Sequence, residues 1–180
     1  MPLVILSIKE AMSASFSFSK NGVLINRGDK LANRKLVKLT VPGAPFGKQR
    51  PKFTSRGKFC KAVTPEKTVN YETLVKLLYN EKYGELSFNA DEPLKITIRA
   101  YMQIPSSKSN KQKELMRQGI LRPTKKPDWD NIGKIIGDAL NAIAYPDDKQ
   151  IVESHIVKFF DENPRVEIEI ENIEPPQIAA

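Results

Sequence analysis

The chain has 180 residues, of which 40% are hydrophobic, so it can bury one core without disulfides or a structural metal. No apolar run approaches the roughly 20 residues that cross a bilayer, and residues 3–6 are too few for the core of a signal peptide, so we expect neither a membrane protein nor an exported one. The single cysteine, Cys60, excludes an internal disulfide and a Cys-based zinc site, and it fits a cytoplasmic location.

The formal net charge of +8 is unevenly distributed along the chain. Residues 30–126 carry 22 basic and 7 acidic side chains, whereas residues 127–180 carry 4 and 12. The basic segment predicts binding to a polyanion such as nucleic acid, and the acidic segment leaves carboxylates for another purpose. Composition alone is equally compatible with ordinary solvated charge on a soluble protein.

The first half of the chain predicts an extension followed by a strand, a loop and a helix. Residues 1–34 show no sustained period and are interpreted as an N-terminal extension. Residues 36–41 alternate as a first strand, and a basic loop follows over residues 47–61. Residues 66–82 have the pattern of a helix, with Gly84 as its stop.

The second half predicts three further strands and two helices. Residues 94–102 alternate strictly as a second strand, and residues 109–118 form a short basic helix. Apolar positions from Ile132 to Ile143 recur at helical spacing, with Asp130 as the expected N-cap. Residues 150–160 and 165–171 are expected to form a β-hairpin.

These elements indicate an α/β (α+β) fold with a single small mixed β-sheet of about four strands and flanking helices. We place one domain at residues 35–173 and a C-terminal tail at residues 174–180. No Gly-rich phosphate loop precedes a helix, so we expect no small-molecule organic cofactor. The only histidine, His155, falls within a predicted strand, where catalysis by it is not favoured.

Aspartates flank the last predicted helix on both sides. Asp128 and Asp130 project from the same side of an extended segment, and Asp147 and Asp148 follow the helix. Carboxylate oxygens are the ligands that Mg²⁺ prefers, and Lys134, one helical turn after Asp130, could reach the same phosphate. The alternative is structural, because aspartates also cap helices and form turns.

The run Lys126-Pro127-Asp128-Trp129-Asp130-Asn131-Ile132-Gly133-Lys134, with Asp138-Ala139-Leu140 and Asp147-Asp148-Lys149-Gln150-Ile151, closely resembles the RusA family of Holliday junction resolvases. Val41-Pro42-Gly43 and residues 47–52 also resemble that family's first strand and basic loop. The resemblance covers about residues 36–172. It implies a RusA-like fold and a homodimeric, Mg²⁺- or Mn²⁺-dependent endodeoxyribonuclease that cuts four-way DNA junctions in recombination and repair. Members often occur in phages and prophages, so a bacterial or phage-infected cytoplasm is expected.

Residue by residue, the resemblance makes Asp128, Asp130, Lys134 and Asp148 the catalytic candidates. Asp128, Asp130 and Asp148 would hold the metal, with Asp147 as the alternative to Asp148. Phosphate contacts are expected from a set of basic residues, each of which could instead be a solvated charge: Lys48, Arg50, Lys52, Arg56, Lys58, Lys125 and Lys126. Trp129 could stack on a base at the branch point, or pack against the core or a partner subunit.

Two other functions are compatible with the same sequence features. A nuclease specific for other branched DNA would share the acidic residues and the basic segment. A non-catalytic DNA-binding module would share the basic segment, while its aspartates served only as caps. Divalent-dependent cleavage and competition between junction and linear DNA separate these possibilities.

Overall fold

The structure, a computed structural model, describes residues 16–18, 24–26, 35–56, 59–84 and 88–173. Most of the predicted extension and the whole predicted tail therefore lie outside the described residues. The described strands are β1 (Phe16–Phe18), β2 (Leu24–Asn26), β3 (Leu36–Pro42), β4 (Lys52–Arg56), β5 (Phe59–Val63), β6 (Leu94–Gln103), β7 (Ile151–Asp161) and β8 (Arg165–Asn172). The described helices are α1 (Glu66–Tyr83), α2 (Asn110–Arg117) and α3 (Trp129–Leu140), and a 3₁₀ turn spans Asp148–Gln150.

Four strands form the main sheet in the order β3-β8-β6-β7. Strand β6 is parallel to β7 and antiparallel to β8, and β3 is antiparallel to β8, so the sheet is mixed. The predicted α+β class and four-stranded mixed sheet are confirmed. Within the described ranges, β1 pairs with β2 and β4 pairs with β5 as separate two-stranded ribbons.

The expected hairpin of the last two strands is wrong, because β6 lies between β7 and β8. The connection from Asp161 to Arg165 passes the end of β6, where Ile104 N donates to Asp161 O at 3.1 Å. Two strand spacings are about 9.5 Å, and four extended residue steps reach about 13 Å, so this short link suffices to bridge them. Central β6 gains hydrogen-bonded neighbours on both edges.

Alternation along the strands places one face of the sheet against the helices. In β3, Val37, Leu39 and Val41 are buried, and every second residue between is exposed. The buried residues of α3 pack with these strand residues and with α1 in one core. They form the apolar stripe that the helical spacing predicts: Ile132, Ile135, Ile136, Ala139 and Leu140.

The opposite face of the sheet is polar. Glu169 of β8 pairs with Lys38 Nζ at 3.3 Å and with Arg99 Nη1 at 3.2 Å. Glu171 pairs with Lys95 Nζ at 3.2 Å. Opposite charges on adjacent strands therefore neutralise each other on this face.

Two local expectations need correction. Helix α3 begins at Trp129 with Asp128 as its N-cap, because Ile132 N donates to Asp128 O at 3.1 Å, so Asp130 lies in the first turn and does not cap the helix. The basic loop contains the β4–β5 hairpin, in which Lys52 faces Val63. Across the described ranges, no helix is long and apolar enough to span a membrane.

Candidate active site

One exposed face of α3 carries charged side chains at intervals of one turn. Asp130, Lys134 and Asp138 are separated by four residues each, so they lie on the same side of the helix. Asp130 and Lys134 are exposed, and Asp138 is half-buried. The buried apolar stripe of α3 fixes this orientation, because the opposite face must point into the core.

A pocket of about 180 Å³ brings Lys134 and Asp138 of α3 together with Asp148 of the 3₁₀ turn. Its floor includes Ile98 and Ile151. The chain between α3 and β7 thus returns an aspartate to the helix face that carries Lys134. Lys134 and Asp148 leave a cation and a carboxylate at this pocket for a phosphate group and a metal ion, whereas Asp138 is engaged by Lys48.

Tyr145 is buried, and its hydroxyl donates to the O atom of Gly137, a residue that lines the pocket, at 3.1 Å. Burial raises the pKa of Tyr145, and the negative charges of Asp148 and Asp138 raise it further. The phenol therefore stays neutral and acts as a donor that holds the last turn of α3.

The two adjacent aspartates after α3 differ in their surroundings. The Asp147 carboxylate accepts from Lys149 N at 3.1 Å and lies 3.2 Å from Lys149 Nζ. The backbone and side-chain bonds from Lys149 lower the pKa of Asp147. Asp147 thus caps the 3₁₀ turn, whereas Asp148 lines the pocket with Lys134.

Asp128 and Asp130 are both exposed at the N-terminus of α3. The expected extended segment that would point them to the same side is wrong, because the helix already begins at Trp129 and Asp130 lies in its first turn. The Asp128 carboxylate accepts a long bond of 3.4 Å from Asn131 Nδ2. Within the described part of the chain, no three or more His, Cys, Asp or Glu side chains gather as a ready-made metal site. The predicted set of Asp128, Asp130 and Asp148 is therefore split between the start of α3 and the pocket beyond Lys134.

The loop before β4 packs directly on the N-terminal half of α3. Lys48 N donates to Asn131 O at 2.9 Å. A Cβ at Gly47 would lie 2.9 Å from Pro127 Cβ, so the absence of a side chain permits this close approach. Lys48 Nζ donates to Glu72 of α1 at 2.9 Å and also to Asp138. One ammonium thus joins the loop, α1 and α3.

A second lysine fixes the segment that leads into Asp128. Lys158 of β7 donates from Nζ to Lys125 O at 2.6 Å and to Pro127 O at 2.9 Å. These two carbonyls lie on either side of the Lys126-Pro127 peptide bond, which is cis. The entry into α3 is therefore tied to the sheet.

The basic residues predicted to contact DNA fall into three groups. Lys48 is half-buried and engaged by two carboxylates. Lys58 and the side chain of Arg56 lie outside the described part of the chain. Four others are exposed, and no described residue forms an ion pair with their side chains: Arg50, Lys52, Lys125 and Lys126.

Sequence reasoning assigned no role to Asp138, Glu72 or Lys158. The spacing of Asp138 from Lys134 placed it on the charged face of α3, and this signal could have made it a candidate. Glu72 and Lys158 come from distant elements, and only the folded arrangement brings them to α3. No local pattern in the sequence identifies such contacts.

Two comparisons with known proteins identify the family of this chain. The family model described as endodeoxyribonuclease RusA matches residues 42–171, which include α3 and the whole pocket. The chain is 36% identical over 139 residues to the uncharacterized protein YqaN of Bacillus subtilis (strain 168), covering 76% of this chain and 96% of that protein. The resemblance inferred from the motif at residues 126–134 is confirmed: the chain belongs to the RusA endodeoxyribonuclease family.

Proposed function

We propose that this protein is a divalent-metal-dependent endodeoxyribonuclease that resolves four-way DNA junctions by paired, symmetric phosphodiester hydrolysis in recombination and repair. The observation that carries the proposal is the pocket lined by both Lys134 and Asp148, beside the helix whose N-terminus carries Asp128 and Asp130, in a chain of this family. A nuclease for other branched DNA would use the same residues, so the substrate must be tested directly.

The carboxylates fit a magnesium site by their chemistry. Mg²⁺ is commonly bound by one or two carboxylates, several waters and substrate phosphate, so three preassembled protein ligands are not required. We propose Asp128, Asp130 and Asp148 as the ligands; the bonds from Lys149 to Asp147 support Asp148 over its neighbour. Bound Mg²⁺, or Mn²⁺, would lower the pKa of a water and stabilise charge on the phosphoryl group.

Lys134 is proposed to act on the reacting phosphate. Its ammonium is exposed at the pocket and would offset the charge that develops on the phosphoryl oxygens or orient the attacking water. Asp138 already binds Lys48, so it is proposed to fix the loop and helix and not to hold the metal.

The exposed basic residues are proposed to bind the DNA backbone. Arg50 and Lys52 follow a loop that packs on α3, and Lys125 and Lys126 precede Asp128, so we propose that their charges flank the start of α3. We include Arg56 and Lys58 in this proposal because of their place in the basic segment of the sequence. For Lys48, the bonds to Glu72 and Asp138 support a role as an anchor of this loop.

A homodimer is proposed because resolution requires two symmetric nicks. A C2 dimer would place one acidic site at each of two opposed strands. This arrangement would also read the shape of the junction, since phosphate contacts carry little sequence information.

The test incubates a labelled four-way junction, and a linear duplex of the same sequence, with protein in Mg²⁺ or in EDTA. The wild type should nick the junction symmetrically in Mg²⁺ only. Asp128→Asn and Lys134→Met should each lower the cleavage rate at least about 100-fold while junction binding persists. Glu81→Gln and Lys111→Met, which change exposed charges on α1 and α2, are the matched controls and should cleave normally.

The other outcomes select among the remaining functions. Binding without cleavage by the wild type in any divalent metal would indicate a non-catalytic DNA-binding module. Equal cutting of linear duplex, or preferred cutting of forks and flaps, would indicate a nuclease of different substrate. Cleavage by Lys134→Met at the wild-type rate would remove Lys134 from the mechanism.

A further inference from the structure

Trp129 is the only tryptophan of the chain, and its side chain is 65% exposed at the first residue of α3. The buried stripe that begins at Ile132 faces the core, so the indole at the start of the helix points away from it. Packing of Trp129 against its own core is therefore excluded. A single exposed apolar residue is ordinary on a protein surface, so the position of this one must carry the argument.

In the sequence, Trp129 stands between the two aspartates proposed to hold the metal. Adjacent Cα atoms are about 3.8 Å apart, so a phosphate bound at Asp128 and Asp130 brings its own nucleotide within reach of the ring. A subunit interface over Trp129 would also cover both exposed carboxylates. Removing two charges from water would cost free energy, and such an interface would also block DNA from the site. A nucleobase covers only the ring.

We propose that the Trp129 indole stacks on a nucleobase exposed at the branch point of the DNA. The proposal rests on the function proposed above, and it adds base stacking as a source of the selectivity for branched over linear DNA. Bases within a continuous duplex are already stacked on both faces, whereas a branch point exposes base faces to an aromatic side chain. Stacking accepts any base, because every base has a π-face, and its loss should cost about tenfold in affinity.

The experiment uses the intrinsic fluorescence of the Lys134→Met variant, in which Trp129 is the only tryptophan. Titration with a four-way junction in Mg²⁺, where the metal can join the carboxylates to the phosphate while cleavage should be lost, should quench the tryptophan emission in step with binding. A linear duplex with the same arm sequences should bind with little quenching. A fluorescent purine analogue placed at the branch point should report the same contact from the DNA side.

Variants separate stacking from a loss of folding. Trp129→Leu should lower junction affinity about tenfold and leave duplex affinity unchanged, and Trp129→Phe should retain most of the junction affinity. Leu77→Ala on α1, where the side chain is 61% exposed, is the matched control for loss of exposed apolar surface, and its junction affinity should equal that of the wild type.

The outcomes distinguish this proposal from the function on which it rests. Junction cleavage by the wild type together with unchanged junction binding by Trp129→Leu would overturn stacking and leave the resolvase assignment intact. A shift of tryptophan emission with protein concentration, in the absence of DNA, would replace stacking with a subunit contact. If the wild type neither prefers nor cuts the junction, the proposed function itself fails.

Discussion

Lys48 shows how a single side chain can link three elements around the candidate site. Its ammonium donates to Glu72 of α1 and Asp138 of α3, while its backbone donates to Asn131. Partial burial alone lowers the pKa of Lys48, but the hydrogen bonds to Asp138 and Glu72 outweigh it, so the pKa is raised. The sequence predicted a phosphate contact here because it could not reveal two carboxylates contributed by distant helices.

We predict that Lys48→Met lowers the free energy of unfolding by about 1–3 kcal/mol at pH 7, because two carboxylates lose a shared donor. Since the folded pKa of Lys48 is raised above 10.5, the stabilisation is complete below that pH and is lost as pH rises through the folded pKa. Urea unfolding of both proteins from pH 7 to pH 11 measures this difference. Lys111→Met is the control. If stability is unchanged and the salt dependence of DNA binding is reduced, the result would instead support the original prediction that Lys48 contacts a phosphate.

At the scale of elements, periodic patterns located most of the fold. The predicted helix at residues 66–82 is observed at Glu66–Tyr83, and the strand at residues 94–102 is observed at Leu94–Gln103. Pairing was less predictable, since β7 and β8 flank β6 although only a short link joins them. Strand order depends on which edges meet in the folded sheet, and alternation along one strand carries no information about its neighbours.

The contact between β7 and the start of α3 could not be predicted from the sequence either, because no local pattern links two segments that meet only in the folded protein. We predict that Lys158→Met lowers the single-turnover cleavage rate about 10- to 100-fold, because small displacements of reacting groups are costly, while junction affinity changes less than threefold. Lys158→Arg should recover part of the rate, because a guanidinium can donate to both carbonyls. Lys111→Met again controls for charge. Equal losses in affinity and rate would indicate a direct DNA contact, and a lowered unfolding free energy with a normal rate would indicate a purely structural role.

At the scale of the whole molecule, the acidic final third has two uses. Asp128, Asp130 and Asp148 are the proposed metal ligands, at the start of α3 and at the pocket, whereas Glu167, Glu169 and Glu171 of β8 neutralise basic residues on the open face of the sheet. Composition predicted segregation of charge but could not separate these uses. The open face is internally paired, whereas no ion pair within the described residues involves four basic residues in the segments next to the start of α3: Arg50, Lys52, Lys125 and Lys126.

This distribution predicts which lysines determine the salt dependence of DNA binding. On duplex arms, log K falls with log salt by about 0.9 for each phosphate contact, so Lys52→Ala and Lys125→Ala should each reduce the slope by about that amount. Lys95→Ala removes the same charge from the open face, where Glu171 already pairs with it, so the slope should stay unchanged. Fluorescence anisotropy across a salt series measures all three. A reduced slope in Lys95→Ala alone would contradict this prediction. It would indicate that DNA binds the open face of the sheet and not the surface beside α3, because Lys95 lies on the open face.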